Sequence, residues 1–241
     1  MFEGRTYWLI GASEGLGRAL AHLLADEGAR LILSARNADR LVDLAGEIRG
    51  ARALPMDVTN DGSVAAAAGD VGEIDGVIYA AGAYEPMSAE DWDVDAALKV
   101  SDVNFTGAMR VLGHVVPDMA ARRQGHIVVI GSLAGFSGLP GAIGYGASKA
   151  ALMHLAENLY MDLSRKNILV QQINPGFIRT RLTAKNTFDM PYIIDPEDAA
   201  RRTLRAMTSR RFATSYPWQM ATFFRLGARL PKRLFRRLLG A

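Results

Sequence analysis

Short apolar runs recur along the chain, and helical segments separate them. The runs occupy residues 5–10, 30–34, 51–56, 76–79, 126–131 and 168–173, and each leads into small or polar residues. Short, largely apolar runs bounded in this way are typical of buried strands. The segments between them predict helices at 16–27, 38–48, 60–70, 91–121 and about 145–165.

This alternation, with its short connections, predicts the fold class. We expect an α/β protein, with a single Rossmann-like, doubly wound parallel sheet and helices on both faces. Residues 212–215 are a candidate for a seventh strand, so that 1–216 form one domain. Within it, residues 182–195 are a plausible mobile lid. Residues 217–241 are predicted to be a basic helical tail, interrupted at Pro231.

Length and composition fit one globular domain. The chain has 241 residues, of which 49% are hydrophobic and 22% are charged. It has no cysteine, which excludes disulfides and thiolate chemistry, and its four histidines show no ligand spacing, so we predict no metal site. We find neither a secretory leader nor an apolar run of the ~20 residues that span a bilayer, and we therefore expect a cytoplasmic protein.

The net charge of +3 hides an asymmetry along the chain. All 25 acidic residues lie within residues 1–198, together with only 17 of the 28 basic ones. The basic character therefore belongs to the end of the chain, which argues against nucleic-acid binding by the domain.

The tail combines this charge with an amphipathic pattern. Four apolar residues fall on one helical face (Leu234, Phe235, Leu238, Leu239), and four cations fall on the other (Lys232, Arg233, Arg236, Arg237). Such a helix suggests peripheral contact with a membrane surface or with a partner's groove. Alternatively, its apolar face covers the substrate pocket or a sister subunit.

A glycine-rich turn joins the first strand to the first helix, with the spacing Gly11-x-x-x-Gly15-x-Gly17. Such a turn lets the backbone approach a pyrophosphate, which the helix N-terminus attracts. A tight turn without a ligand is the alternative. Arg36 follows the second strand, where no acid is available for a ribose hydroxyl. This favours NADP over NAD, although Glu14 is close by and Arg36 could instead be a solvated charge that caps a helix.

Other residues of interest follow further strands. Asp57 and Val58 could contact an adenine, although Asp57 would look much the same as a helix N-cap. The small residues Ala80, Ala81 and Gly82 would let a ribose lie on the backbone. Because ligands of such sheets bind at the carboxyl ends of the strands, we expect these residues to form one site.

Tyr145 and Lys149 are an i, i+4 pair on a predicted helix, so both side chains lie on one face. A nearby ammonium favours phenolate, which makes this pair suited to proton transfer. Ser132 ends the fifth strand and could hold a carbonyl oxygen. Asn104 is surrounded by apolar positions and either serves a purpose or is a satisfied core residue. Taken alone, the Tyr-x-x-x-Lys pattern is common and is more often a feature of a helix surface.

These motifs occur together, in order, in a known family. With Pro175-Gly176 through Thr180, they make residues 5–208 resemble the short-chain dehydrogenases/reductases of the roughly 250-residue type. The resemblance implies that Tyr145 is the acid or base, Ser132 polarises the substrate, Lys149 lowers the tyrosine pKa and binds the nicotinamide ribose, and Asn104 holds a water. It implies a cofactor site formed by Gly11, Ser13, Glu14, Gly15, Leu16, Gly17, Arg36, Asp57, Val58, Ala80, Ala81, Gly82, Tyr145, Lys149, Pro175, Gly176, Phe177, Ile178 and Thr180.

Two positions depart from the family's pattern. Ile10 and Tyr79 replace the usual Thr and Asn, which normally tie neighbouring strands together beneath the cofactor. We therefore expect a less firmly tied floor with unchanged chemistry.

We predict an NADP-linked oxidoreductase that interconverts a carbonyl and an alcohol. The substrate would be apolar, in a pocket formed by Tyr84, Phe136, Leu139, Phe177, Phe188, Met190, Pro191 and Tyr192. The alternatives are a sensor or interaction protein that binds NADP without turnover and a lipid-modifying reductase at a membrane surface. By resemblance, we expect a homodimer or homotetramer.

Overall fold

The computed structural model describes residues 1–239 and contains one parallel sheet of seven strands in the order β3-β2-β1-β4-β5-β6-β7. The strands are β1 (Thr6–Ile10), β2 (Arg30–Ser34), β3 (Arg52–Ala53), β4 (Gly76–Tyr79), β5 (Gly125–Ile130), β6 (Ile168–Pro175) and β7 (Ala213–Tyr216). The strand order switches between β1 and β4: strands β2 and β3 are added on one side of β1, and strands β4 to β7 are added on the other.

Nine α-helices connect or follow the strands in the described residues. They are α1 (Gly15–Asp26), α2 (Ala38–Glu47), α3 (Asp61–Val71), α4 (Val94–Ser101), α5 (Gly107–Arg122), α6 (Ile143–Leu163), α7 (Pro196–Met207), α8 (Trp218–Arg229) and α9 (Lys232–Leu238). A π-helical segment, Asp102–Thr106, lies between α4 and α5.

The alternation of side chains along each strand fills two cores. In β1, Trp8 and Ile10 point to the layer of α3, α5 and α6, while Tyr7 and Leu9 point to the layer of α1, α2 and α7. Both faces are apolar because helices cover both, which is why the strands are continuously hydrophobic. The predicted doubly wound α/β fold is confirmed.

Three elements differ from the sequence-based expectation. Strand β3 has only two residues, although Leu54 and Met56 still donate backbone hydrogen bonds to Leu33 and Ala35. The helix predicted at 91–121 is interrupted by the π-helical segment. Helix α7 was not predicted, although Pro196 at its first position and the two acids after it are typical of a helix start.

The tail is helical and packs on the body. Helices α8 and α9 bury Met220, Phe224 and Phe235 in a third apolar cluster together with Leu133 of the domain. The outer face of these helices is exposed. Within residues 1–239, no helix is long and apolar enough to cross a membrane.

The strands beneath the site are tied together despite the two departures from the family's pattern. The indole of Trp8 donates to the Ser34 hydroxyl (2.8 Å), which in turn donates to the carbonyl of Leu54 (2.7 Å), so β1, β2 and the β3 segment are linked. The hydroxyl of Tyr79 donates to the carbonyl of Val103 (2.5 Å) in the π-helical segment. These bonds correct the expectation of a loosely tied floor, because other residues supply the links.

Candidate active site

A single cavity of about 1780 Å³ runs along the carboxyl edge of the sheet, from the glycine-rich turn to the tail. Of the predicted site residues, all but Asp57 and Asn104 line it. The cavity is thus continuous from the predicted cofactor residues to Ser132 and Tyr145. The strand ends place residues that are far apart in sequence in one crevice, as the sequence predicts.

In the glycine-rich turn, neighbouring backbone segments lie too close together for a side chain to fit between them. Gly11 has φ +88°, and a Cβ there would lie 2.5 Å from the nitrogen of Ala81 in the loop after β4. A Cβ on Gly17 would clash with the carbonyl oxygen of Gly11. Helix α1 starts at Gly15, and no side chain caps its first N–H groups. These free donors and the positive end of the helix dipole fit a pyrophosphate.

Basic groups surround the end of the cavity beside β2. Arg36 lines it, and Asn37 rather than Arg36 caps α2, by accepting a hydrogen bond from the backbone N–H of Arg40 (2.9 Å). The carboxylate of Glu14 is paired with Arg40 (3.0 Å) and with Arg181 (2.6 Å). The negative charge of Glu14, which would weaken a preference for NADP, is therefore neutralised by two guanidinium groups.

Asp57 is not the N-cap of the following helix, and its contact with an adenine stays a prediction. Its Oδ1 accepts hydrogen bonds from the backbone and the hydroxyl of Thr59, while Asn60 caps α3. Val58, by contrast, lines the cavity. Asp57 therefore shapes the turn that presents Val58, and the N-cap interpretation is wrong.

Tyr145 and Lys149 lie one turn apart on α6 and face the cavity together. The Lys149 ammonium lies 6.0 Å from the centroid of the tyrosine ring and donates a hydrogen bond to the carbonyl of Ile130 (2.9 Å). Lys149 is buried, and burial lowers its pKa to about 8. The pair is therefore no feature of a helix surface, since both side chains line the crevice.

Two opposing effects act on the acidity of Tyr145. Burial raises its pKa, because phenolate loses solvation, and a hydrogen bond with the Ser132 side chain lowers it. Lys149 does not produce the expected lowering of the tyrosine pKa here, because its ammonium donates its hydrogen bond to the carbonyl of Ile130 and not to the phenol.

Asn104 is fully buried in the π-helical segment and supports the site from behind. Its Oδ1 accepts from the backbone N–H of Ala83 (2.7 Å), and its Nδ2 donates to the Ala83 carbonyl and the Ser148 hydroxyl (2.9 Å each). Ser148 in turn donates to the carbonyl of Tyr145 (2.9 Å). Asn104 therefore fastens the loop after β4 to the helix that carries Tyr145 and Lys149. Its predicted role in holding a water stays a prediction.

The far end of the cavity is apolar. Leu139, Phe177, Phe188, Pro191 and Tyr192 line it as predicted. Phe136 and Met190 do not line it, which corrects the prediction. Phe136 packs against the third apolar cluster, which the tail helices form with Leu133, and the Met190 sulfur accepts a hydrogen bond from Asn186. Residues 182–195 are called the lid below, and an isolated parallel bridge between Ile178 and Ile194 lies at their base.

Sequence reasoning missed several residues that line this cavity. Asn37 and Arg40 were not identified, although they lie one and four positions after Arg36. Nor were Asn186 and the tail residues Met220, Phe223 and Phe224. No local signal identifies the last four, because they reach the cavity only through tertiary packing.

Comparison with known proteins agrees with this geometry. The family model described as short chain dehydrogenase matches residues 5–190. An uncharacterized oxidoreductase of Myxococcus xanthus is 36% identical, over 96% of this chain and 94% of the relative. An uncharacterized oxidoreductase of Staphylococcus aureus is 32% identical, over 83% of this chain and 89% of the relative.

Solved structures show the same similarity. A short-chain dehydrogenase from Burkholderia cenocepacia in complex with NADP superposes with a TM-score of 0.89, at 25% identity and full coverage of both chains (100% each). One from Sphingobium yanoikuyae in complex with NADPH gives 0.83, at 27% identity, with 95% of this chain and 97% of the other covered. The chain therefore belongs to the short-chain dehydrogenase/reductase family of NAD(P)-dependent oxidoreductases.

Proposed function

We propose that the protein interconverts an apolar carbonyl compound and its alcohol, using NADP(H), with Tyr145 as the general acid and base. The observation that carries this proposal is the convergence of Ser132, Tyr145 and Lys149 in one crevice with the glycine-rich turn. Burial of the two ionisable groups at this place costs free energy, which is typical of catalytic sites rather than of structural ones.

The residues of the crevice fit a dinucleotide. Gly11 and the uncapped start of α1 would hold the pyrophosphate, Val58 the adenine, and Lys149 and Thr180 the nicotinamide end. When NADPH is bound, its nicotinamide supplies the hydride for reduction. Arg36 and Arg40 support a preference for the 2′-phosphate, since guanidinium groups bind phosphate in a bidentate manner. The complexes of two relatives with NADP and NADPH agree with this preference.

Ser132 and Tyr145 act on the substrate oxygen. In reduction, the Ser132 hydroxyl donates a hydrogen bond to the carbonyl oxygen, and Tyr145 donates its proton to that oxygen as the hydride adds to carbon. The raised pKa of Tyr145 keeps the phenol protonated and ready to donate. Lys149, as a cation, stabilises the phenolate that remains. In oxidation the same groups work in reverse.

The apolar half of the cavity supports a hydrophobic ketone, aldehyde or secondary alcohol as the substrate. Leu139, Phe177 and Phe188 favour apolar substituents, and Lys185, which also lines the cavity, is already paired with Glu85. A sensor without turnover would not need an intact set of Asn104, Ser132, Tyr145 and Lys149, and we therefore favour the enzyme.

We also propose that the protein forms a homo-oligomer through α4, α5 and α6. Leu98, Met109 and Met161 are exposed on these helices, as expected of a surface that a second copy covers. A cytoplasmic location, with peripheral contact of the tail to a membrane, stays a prediction.

The test of this proposal is a panel of apolar aldehydes and ketones, assayed with NADPH and with NADH by the absorbance of the reduced nicotinamide. We expect oxidation of NADPH with at least one apolar carbonyl and little with sugars. NADPH binding without oxidation across the whole panel would favour the sensor.

A further inference from the structure

The tail has two faces with different environments. The inner face of α8 and α9 packs on the domain through Met220, Phe224 and Phe235. The outer face carries four large apolar side chains that are between 45% and 71% exposed: Trp218, Leu226, Leu234 and Leu238. The prediction that the tail covers the pocket thus accounts for the inner face and leaves the outer face without a role.

The exposed surface of α8 and α9 also carries cations that lack a carboxylate partner within residues 1–239; on α9 they lie on the side opposite Leu234 and Leu238. Among the described residues, Arg225 and Lys232 bond to the hydroxyls of Ser215 and Ser137, and Arg225 also lies 5.8 Å from the Phe136 ring centroid. Arg229, Arg233, Arg236 and Arg237 have no ion pair in the part of the chain that the structure describes, and no acidic residue follows Asp198 in the sequence.

Several arginines of the domain, by contrast, are paired with carboxylates. Arg5, Arg18 and Arg122, for example, each lie within 3.1 Å of a carboxylate. An exposed apolar surface surrounded by unpaired cations is the combination that binds anionic lipid headgroups, with the apolar groups inserted between them. We call the four exposed apolar residues and the six tail cations the tail patch.

The tail patch adjoins the entrance of the active-site cavity. Leu238 belongs to the patch and also lines the cavity. Phe223, which is exposed next to the patch but is not part of it, lines the cavity too. On the lid, Phe188 and Tyr192 line the same cavity and are also more than half exposed. One acid, Asp189, lines it beside them. The apolar interior therefore reaches solvent past exposed apolar side chains of the lid and the tail.

From these observations, we propose that the tail patch docks on an anionic phospholipid bilayer, and that the substrate is a long-chain carbonyl or alcohol that enters the cavity from the lipid. The substrate class rests on the proposed function above, whereas the docking does not. The bilayer is preferred over a second copy of this chain as the occupant, because a second copy would bring the same positive charges together.

The docking is tested by flotation of the full-length protein with vesicles of phosphatidylcholine, with and without phosphatidylglycerol. We expect binding only to the anionic vesicles, and weaker binding at high salt. Replacing Lys232, Arg233, Arg236 and Arg237 by Gln should reduce vesicle binding on the order of 100-fold. A variant with the three arginines changed to Lys should retain binding, because the charge is kept.

The matched control removes four exposed cations elsewhere: Arg165→Gln, Lys166→Gln, Arg202→Gln and Arg205→Gln. It should bind vesicles like the parent, and thermal unfolding checks that both variants are folded. In a Trp92→Phe background, the emission of exposed Trp218 should shift to the blue on anionic vesicles, whereas Trp8 is already buried.

The two claims fail separately. No binding to anionic vesicles, equal binding to neutral ones or an equal loss in the control would overturn the docking, as would a tail variant that changes the oligomeric mass. Activity supplies the other readout: the tail variant should keep the reduction of a short, water-soluble carbonyl and lose that of a long-chain one held in vesicles. If no carbonyl is reduced by any variant, the proposed function fails while docking is still measured.

Discussion

The ring of Tyr84 packs edge-on against the ring of Tyr145, with 4.9 Å between the centroids. The Tyr84 hydroxyl donates to Oδ1 of Asn186 in the lid (2.7 Å), and the Lys185 ammonium donates to the backbone carbonyl of Tyr84 (3.1 Å). Tyr84 therefore connects the position of the lid to the position of the proposed acid. This connection joins residues 102 positions apart in sequence.

We predict that Tyr84→Phe lowers kcat/KM for carbonyl reduction about three- to tenfold, because the lid loses its anchor beside Tyr145. Asn186→Leu should have a similar effect, and the double variant should lose no more than either single one, since both remove the same bond. Tyr192→Phe is the control, as its hydroxyl has no hydrogen bond within residues 1–239. Additive losses in the double variant would contradict the connection.

The pKa of Lys149 sets a pH dependence for reduction. Below its pKa of about 8 the lysine is a cation and Tyr145 carries its proton, so kcat/KM should be independent of pH. Above it, the cation is lost and kcat/KM should fall by about tenfold per pH unit. In Lys149→Arg, which stays charged, the remaining activity should show no such fall near this pH. An unchanged profile in that variant would show that another group titrates.

Cofactor choice should depend on Arg36 and Arg40. Arg36→Ala, alone and with Arg40→Ala, should lower kcat/KM for NADPH about 10- to 100-fold, because a charge-assisted bond to the 2′-phosphate is lost. The value for NADH should change less than about threefold. Arg49→Ala is a suitable control, since Arg49 is exposed and lies outside the cavity. Equal losses with both cofactors would contradict the role of these arginines.

Tyr79 should contribute to stability through its bond to the π-helical segment. We expect Tyr79→Phe to lower the free energy of unfolding by about 1–2 kcal/mol, since it removes the buried hydrogen bond to Val103. Urea unfolding measures the difference. Tyr160→Phe, with an exposed ring against Phe212, should change it by less than about 0.5 kcal/mol. No loss in the first variant would mean that the segment is held by its packing alone.

Much of the fold could be predicted because local pattern and architecture agree. Strands β1, β2 and β5 are continuous apolar runs, since helices bury both faces of the sheet. Strand β3 is shorter than predicted because its apolar pattern is weak and because it pairs on one side only, with β2. Helix α7 is strongly amphipathic, but five of its twelve residues are charged, so the segment shows no apolar run.

The candidate site could be predicted where it depends on strand ends. Gly11, Ser132 and Tyr145 meet because parallel strands end at the same edge, and their place is fixed by topology. The side-chain pairs that complete the site do not follow from the topology of the sheet. Arg181 with Glu14 and Asn186 with Tyr84 join distant segments through side chains alone, and no periodicity reports them.

The most direct test of the account is the turnover of Tyr145→Phe, which keeps the ring and removes only the hydroxyl. Reduction of an apolar carbonyl that the parent accepts should fall at least about 100-fold in kcat/KM, since general acid catalysis typically contributes that much. NADPH binding, followed by its fluorescence, should stay within about twofold, because the glycine-rich turn is untouched. A variant that reduces the same carbonyl at the parent's rate would contradict the assignment of Tyr145 as the proton donor.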